Sequence, residues 1–153
     1  MKIVDIKTWI VGTPSGRTNW IFLKLVTDEG IEGTGECTNW SYRDFTIERC
    51  IRELGKAFVI GQDPFRIEQM WQRIYTGIHD FRKPGMIQTP VMSAFEMACW
   101  DIIGKKLNEP VYNLLGGMYH EKLRAYTSLG EPAQIARISL DTPENYGKAA
   151  AQA

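Results

Sequence analysis

The chain opens on alternation. In residues 2–11, "KIVDIKTWIV", Val4, Ile6 and Ile10 fall on one side and Asp5 and Lys7 on the other, the period-two pattern of a half-buried strand. "GTPSGRTN" (12–19) is a loop by its glycine, proline, serine and asparagine content. Alternation resumes over 20–26, with Ile21, Leu23 and Leu25 on one face. "TDEG" (27–30) is a tight turn, and 31–37 returns as a third strand. Three sequential strands with short connections predict an antiparallel meander.

The period then becomes helical. Ile47, Cys50, Ile51, Leu54 and Phe58 recur at helix spacing, while Arg43, Glu48, Arg49, Arg52, Glu53 and Lys56 fill the other face. Asp63-Pro64 reads as the N-cap and first residue of a second helix, whose stripe is Ile67, Met70, Trp71, Ile74, Tyr75 and Ile78. A polar loop, "HDFRKPGMIQ" (79–88), follows, and Thr89-Pro90 caps a third helix. Between Val91 and Ile103 only Ser93, Glu96 and Asp101 are polar, and they do not gather into one face. A surface helix has one apolar stripe, so this one must be covered on more than one side. Pro110 begins a short helical turn, which Gly116-Gly117 ends in the left-handed conformation that glycine adopts at little cost.

Beyond it, "LRAYTSLG" (123–130) reads as a strand separate from the meander, and a loop leads to Thr142-Pro143, the cap of a last helix. That helix reaches Ala153 with no glycine stop and no closing basic turn. A strand followed by an open helix looks like the first βα unit of something larger.

Composition narrows the possible partners. A chain of 153 residues with 44% hydrophobic and 24% charged residues can bury a real core and is ordinary for a soluble globular protein. Eighteen basic residues balance eighteen acidic ones, so the electrostatic footprint of a nucleic-acid binder is missing. Asp5 and Lys7 interrupt the first apolar run, unlike a signal peptide, and no run approaches the roughly 20 residues of a membrane span. Cys37, Cys50 and Cys99 form no CxxC pair. Their odd number and wide spacing indicate reduced, buried thiols and a cytoplasmic protein. With only His79 and His120 available, a His-rich metal site is excluded.

Candidate chemistry is sparse. "GIEGTGEC" (30–37) is no nucleotide loop, since it lies within a strand and its spacing runs the wrong way. Gly33 and Gly35 instead flatten one face of the strand for a closely approaching helix. Glu96 and Asp101 are five apart and point to different sides of their helix, so they read as carboxylates bonded to a neighbouring backbone or cation, not as a catalytic pair. The loops 12–19 and 38–43 carry Arg17, Thr18, Asn19, Thr38, Asn39, Trp40 and Tyr42. Polar and aromatic residues on loops directly after strands suit ligand contact. An ordinary solvated turn is the competing reading.

The order of these parts is informative. "SAFEMACWDIIGKKLNEPVYNLLGG", containing Trp100, Asp101, Gly116 and Gly117, closely resembles a signature run of the enolase superfamily, mandelate racemase/muconate-lactonizing type. "GIEGTGE" resembles that family's G-x-x-G-x-G-E strand, and "IGQDPFRIEQMWQRIY" its second-helix signature. Glu96 stands where many members carry Asp. The resemblance implies an α+β fold in which residues 1–118 form a capping domain, a three-stranded antiparallel meander against a helical bundle. Residues 119–153 would be the first βα unit of a (β/α)8-type barrel, with 123–129 its first strand. The barrel would cover the far side of the third helix, and Asp101 would sit at that seam.

The family's chemistry, as the resemblance implies it, is removal of a proton from carbon next to a carboxylate, with Mg2+ and a Lys or His base managing the enediolate. The bases and metal ligands belong to barrel strands, so this chain has neither catalytic residues nor metal ligands and is expected to be inactive alone. The loops 12–19 and 38–43 correspond to those that close over the barrel mouth and set specificity. The implied substrate is a small carboxylate, read as an acid sugar because these loops are rich in donors and acceptors. The implied whole is a homo-oligomeric dehydratase, with a racemase, epimerase or cycloisomerase as alternatives. A complete non-catalytic α+β interaction module is the reading from a different class.

Overall fold

In the computed structural model, residues 1–12, 19–37, 43–76, 85–126, 130, 133 and 137–151 are described. Three strands, β1 (Ile3–Gly12), β2 (Asn19–Thr27) and β3 (Glu32–Cys37), form one antiparallel sheet in the order β1-β2-β3. The expected meander is present. Ile21, Leu23 and Leu25 are fully buried on its inner face, as their alternation predicts. In β1 the pairing shifts between Ile3 and Asp5, so Ile3 is buried while Val4, expected to face inward, is half exposed. A bulge of this kind turns one residue out of the alternation.

The helices pack on the inner face. α1 (Asp44–Leu54) buries Ile47, Ile51 and Leu54 and runs on into a wider π-helical turn, Gly55–Val59. At Gly55 that turn meets the sheet, where a Cβ would lie 2.3 Å from Ile6 Cδ1. α2 (Ile67–Thr76) begins four residues after Asp63, not at Pro64. Asp63 accepts the Phe65 N–H at 3.1 Å in a side-chain turn, a local bond that competes with helix initiation. Ile67, Met70 and Ile74 are buried as expected, whereas Tyr75 is exposed and Ile78 lies outside the described residues. α3 (Gln88–Leu107) starts one residue before Thr89 and ends on Asn108 in the left-handed region. A short α4 (Val111–Leu114) follows, and Gly116 and Gly117 both take positive φ, as expected.

α3 is the axis of the domain. Val91, Met92, Ala94, Phe95, Ala98, Cys99, Ile102 and Ile103 are all buried, around most of its circumference. β3 and β2 cover one side, and α1, α2 and α4 touch the others. Its closest approach is to β3. A Cβ on Gly33 would lie 2.0 Å from the Ala98 carbonyl oxygen, and one on Gly35 2.0 Å from that of Ala94. The helix rests on a strand face that only glycine leaves open.

This geometry gives Asp101 the backbone and cation partners expected of it. The residue faces β3 within the domain: its carboxylate accepts the Thr34 N–H at 2.9 Å and Lys105 Nζ at 2.7 Å, and Lys105 also donates to the Glu32 carbonyl. On this side β3 covers the helix.

The segment expected as a separate strand is not one over its described part. Residues 123–126 are in no strand and all exposed, and 127–129 lie outside the described residues. A strand needs a neighbour to accept its hydrogen bonds, and among the described residues this one has none. Gly130, expected to end that strand, and Ala133, expected in a loop, are both helical. The last helix, α5 (Pro143–Ala150), is capped as predicted, with the Thr142 side chain accepting the Asn145 N–H. No helix among the described residues is long and apolar enough to cross a membrane.

Candidate functional site

The two loops singled out in the sequence leave the same end of the sheet. One joins Gly12 to Asn19, which are paired across β1 and β2; the other runs from Cys37, paired with Ile21, to Arg43. Arg17, Thr18, Thr38, Asn39, Trp40 and Tyr42 lie outside the described residues, as does His79. Asn19 is described and half-buried. Its Nδ2 donates to Asp44 Oδ2 at 2.6 Å, joining the end of the first loop to the start of α1.

α1 contributes a polar stripe, Asp44, Glu48 and Arg52, spaced four apart and hence on one face. Thr8 Oγ1 donates to Glu48 at 2.8 Å, and Arg52 Nη2 donates to Thr8 Oγ1 at 2.9 Å. The Arg52 and Thr8 bonds hold the Glu48 carboxyl below the usual carboxylate range. Glu48 and Arg52 were legible in sequence only as the outer face of an amphipathic helix, since nothing local says that β1 packs there.

Beyond α1 lies a groove of about 1050 Å³ between that helix and residues 85–88, lined by Arg43, Phe45, Arg49, Met86 and Ile87 among others. Phe45 is 80% exposed. No local pattern marks the groove in the sequence, because its two walls are about forty residues apart.

The carboxylates of α3 behave as structural groups. Glu96 accepts Trp71 Nε1 at 2.6 Å and Trp100 Nε1 at 3.4 Å, tying α2 to α3 and fixing the half-buried Trp100. The cysteines are all free. Burial pushes the Cys37 and Cys99 thiols up to about 12 and raises that of Cys50, which keeps all three protonated and unreactive at neutral pH. His120 is exposed beside Tyr119. Among the described residues no three His, Cys, Asp or Glu side chains converge on a possible metal position. Among the described residues, then, no set of side chains fits a Mg2+ ion.

Residues 7–116 match the mandelate racemase/muconate lactonizing enzyme N-terminal domain. The chain belongs to that family. Among curated relatives, D-galactonate dehydratase from Klebsiella pneumoniae (strain 342) is 41% identical over 137 residues, 88% of this chain and 34% of the relative. D-galactonate dehydratase from Cronobacter sakazakii (strain ATCC BAA-894) is 42% identical over the same shares. A mandelate racemase/muconate lactonizing enzyme from Sulfitobacter sp. superposes with a TM-score of 0.83 at 33% identity, over 98% of this chain and 39% of that one. An enolase from Agrobacterium radiobacter, bound to Na and L-malate, superposes with a TM-score of 0.74 at 30% identity, over 82% and 30% of the two chains. The chain thus spans about a third of the length of the curated relatives it matches. The matched region contains the paired glycines of β3 and the apolar α3, which pack as one unit.

Proposed function

We propose that this chain is the capping part of an acid-sugar dehydratase, with residues 1–118 as the cap and 119–153 as the first unit of a barrel. The observation that carries the reading is the 41% identity to a D-galactonate dehydratase across 88% of the chain. The reaction removes the proton on the carbon next to a carboxylate, and hydroxide leaves from the next carbon, for net loss of water. Bases, metal ligands and the Mg2+ they hold belong to residues outside this chain. The full-length protein is a cytoplasmic homo-oligomer that takes a small carboxylate and needs neither nucleic acid nor membrane.

The role of this chain is selection. Arg17, Thr18, Thr38 and Asn39 offer donors and acceptors to the hydroxyls of a polyhydroxylated acid, and Trp40 and Tyr42 exclude water. A site built to hydrogen-bond hydroxyls rejects analogues lacking them, because its buried polar groups are left unpaired. Arg17 engages a distal hydroxyl or carboxylate through its planar fork.

The test is a screen of the full-length protein with Mg2+ against aldonic and aldaric acids, with mandelate, muconate and dipeptides as controls. Turnover is expected on an acid sugar. Arg17→Met is expected to lower kcat/KM on that substrate about tenfold or more, the worth of one hydrogen bond to a charged group. Turnover confined to mandelate, muconate or dipeptides would overturn the reading.

A further inference from the structure

β1 is an edge strand of the sheet, and at 10 residues it is a long one. A strand edge presents a row of unpaired N–H and C=O groups, a template for another strand. The register tells which residues form that row. Thr27 donates its N–H to Ile31, so Thr27, Leu25 and Leu23 turn their backbone groups toward β3. Val26, Lys24 and Phe22 therefore turn theirs toward β1, where Asp5, Lys7 and Trp9 face them. That leaves Ile6, Thr8 and Ile10 pointing outward. Ile3, opposite Thr27, also points outward, and there Gly61 and Gln62 take up its backbone bonds. At Ile6 a side chain stands in for a neighbouring strand: the N–H donates to Asp5 Oδ1 at 2.8 Å. Among the described residues, no backbone group bonds Thr8 or Ile10 from outside.

The side chains around Thr8 suit one kind of neighbour. On the face away from the helices, Lys7 is exposed and Trp9 is 44% exposed, with Lys24 over its ring at 5.8 Å. On the face toward the helices, Glu48 and Arg52 both bond the Thr8 hydroxyl. One acid and one base thus stand together at the middle of the open edge.

We propose that β1 pairs along this edge with β1 of a second copy, antiparallel about a two-fold axis through Thr8, joining two three-stranded sheets into one. A two-fold contact uses the same surface on both copies and must complement itself. This one does. Thr8 lies opposite Thr8 and Ile6 opposite Ile10, so the outward N–H and C=O groups meet their counterparts. Lys7 falls opposite Trp9 of the other copy, an ammonium beside an indole. Beneath the sheet, Glu48 of each copy faces Arg52 of the other. An axis through Lys7 would instead set two ammonium groups against each other. The inference rests on the homo-oligomeric reading of the full-length protein, whose interface it names, and is independent of the substrate.

A mixing experiment on the full-length protein tests it. Glu48→Arg leaves only bases at the axis and Arg52→Glu only acids. Each variant alone is expected to lower the native mass, measured by light scattering, about twofold, as loss of one two-fold interface requires. An equimolar mixture of the two is expected to recover the parent mass. Each chain in the mixture keeps its own internal defect, so only a contact between chains can be restored. Thr8→Pro removes an outward N–H without touching the β1–β2 ladder, and is expected to lower the mass likewise. Amide exchange at Thr8 and Ile10 is expected to be slow in the parent and to quicken about tenfold or more in either charge variant.

If the parent is an oligomer and the three variants keep its mass, or the mixture is no heavier than its components, the β1 pairing falls and the homo-oligomer reading stands. Slow exchange at Thr8 and Ile10 in variants of unchanged mass would mean that another segment covers the edge, which also overturns the pairing. A parent that is monomeric at every concentration would end both readings and leave the acid-sugar reading untouched.

Discussion

α3 and the stretch that follows Gly117 are both rich in large apolar side chains, yet their surroundings are opposite. Along α3, Val91, Ala94, Phe95, Ala98 and Ile102 are fully buried, whereas Tyr119, Leu123 and Tyr126 stand 90%, 83% and 97% exposed. Intrinsic hydrophobicity does not separate them; the supply of partners does. α3 has β3 opened for it by Gly33 and Gly35, together with α1 and α2. The later stretch has no sheet or helix among the described residues to lie on. Burial is a property of a pair of surfaces, and a sequence states only one of them.

The largest expected effect tests the paired side of this comparison. Gly35→Ala puts a methyl group 2.0 Å from the Ala94 carbonyl oxygen, backbone against backbone, with no flexible side chain to yield. The chain should lose about 3 kcal/mol or fail to fold, the upper range for overpacking. Gly147→Ala in α5 meets open space. It should stabilise that helix by up to about 1 kcal/mol, the helix-propensity difference between the two residues. Urea unfolding read by circular dichroism compares them. A Gly35→Ala chain as stable as the parent would mean that α3 does not rest on β3.

A second effect, of intermediate size, comes from what α3 and β3 bury. Burial raises the Cys37 and Cys99 thiols from 9.0 to about 12, so the unfolded chain releases their protons before the folded one does. The stability they confer is complete below pH 9 and is lost as pH rises from 9 toward 12. The slope approaches about 1.4 kcal/mol per pH unit for each thiol. Urea midpoints between pH 8 and pH 11 should therefore fall, and Cys99→Ala should flatten the decline even if it costs stability at pH 8. A pH dependence unchanged by Cys99→Ala would show that this thiol is not held protonated by burial.

The same contrast explains what could be read from the sequence. The meander was legible because Ile21, Leu23 and Leu25 alternate and the connections are short. α3 was legible as a helix covered on more than one side, and the glycines of β3 as a landing strip for a helix, though not for which one. Val4 was misplaced because a bulge follows no composition rule. The start of α2 was misplaced because Asp63-Pro64 also makes a side-chain turn. Asp101 was legible as a carboxylate bonded to a neighbouring backbone or cation, but not that the backbone is that of Thr34 on β3. Of the candidate site, the loops were visible by residue type, but the Asn19–Asp44 bond joins residues 25 apart. Neither residue carries a local sign of the other.

The smallest expected effect bears on the unpaired side, and its smallness is the point. Leu123 and Tyr126 are nearly as exposed folded as they would be unfolded, so removing their side chains takes away almost nothing that folding gained. Leu123→Ala and Tyr126→Ser should each change the urea midpoint of the 153-residue chain by the equivalent of no more than about 0.5 kcal/mol, the usual range for surface positions. A loss of about 2 kcal/mol or more from Leu123→Ala, the cost of truncating a buried leucine, would mean that the stretch folds back onto this chain. That would end the contrast with α3. If the loss instead appears only in the full-length protein, the cover for this stretch comes from residues outside the chain, as the barrel reading of 123–129 requires. If it appears in neither, 123–129 is not a buried barrel strand, and the boundary proposed at residue 118 would have to move.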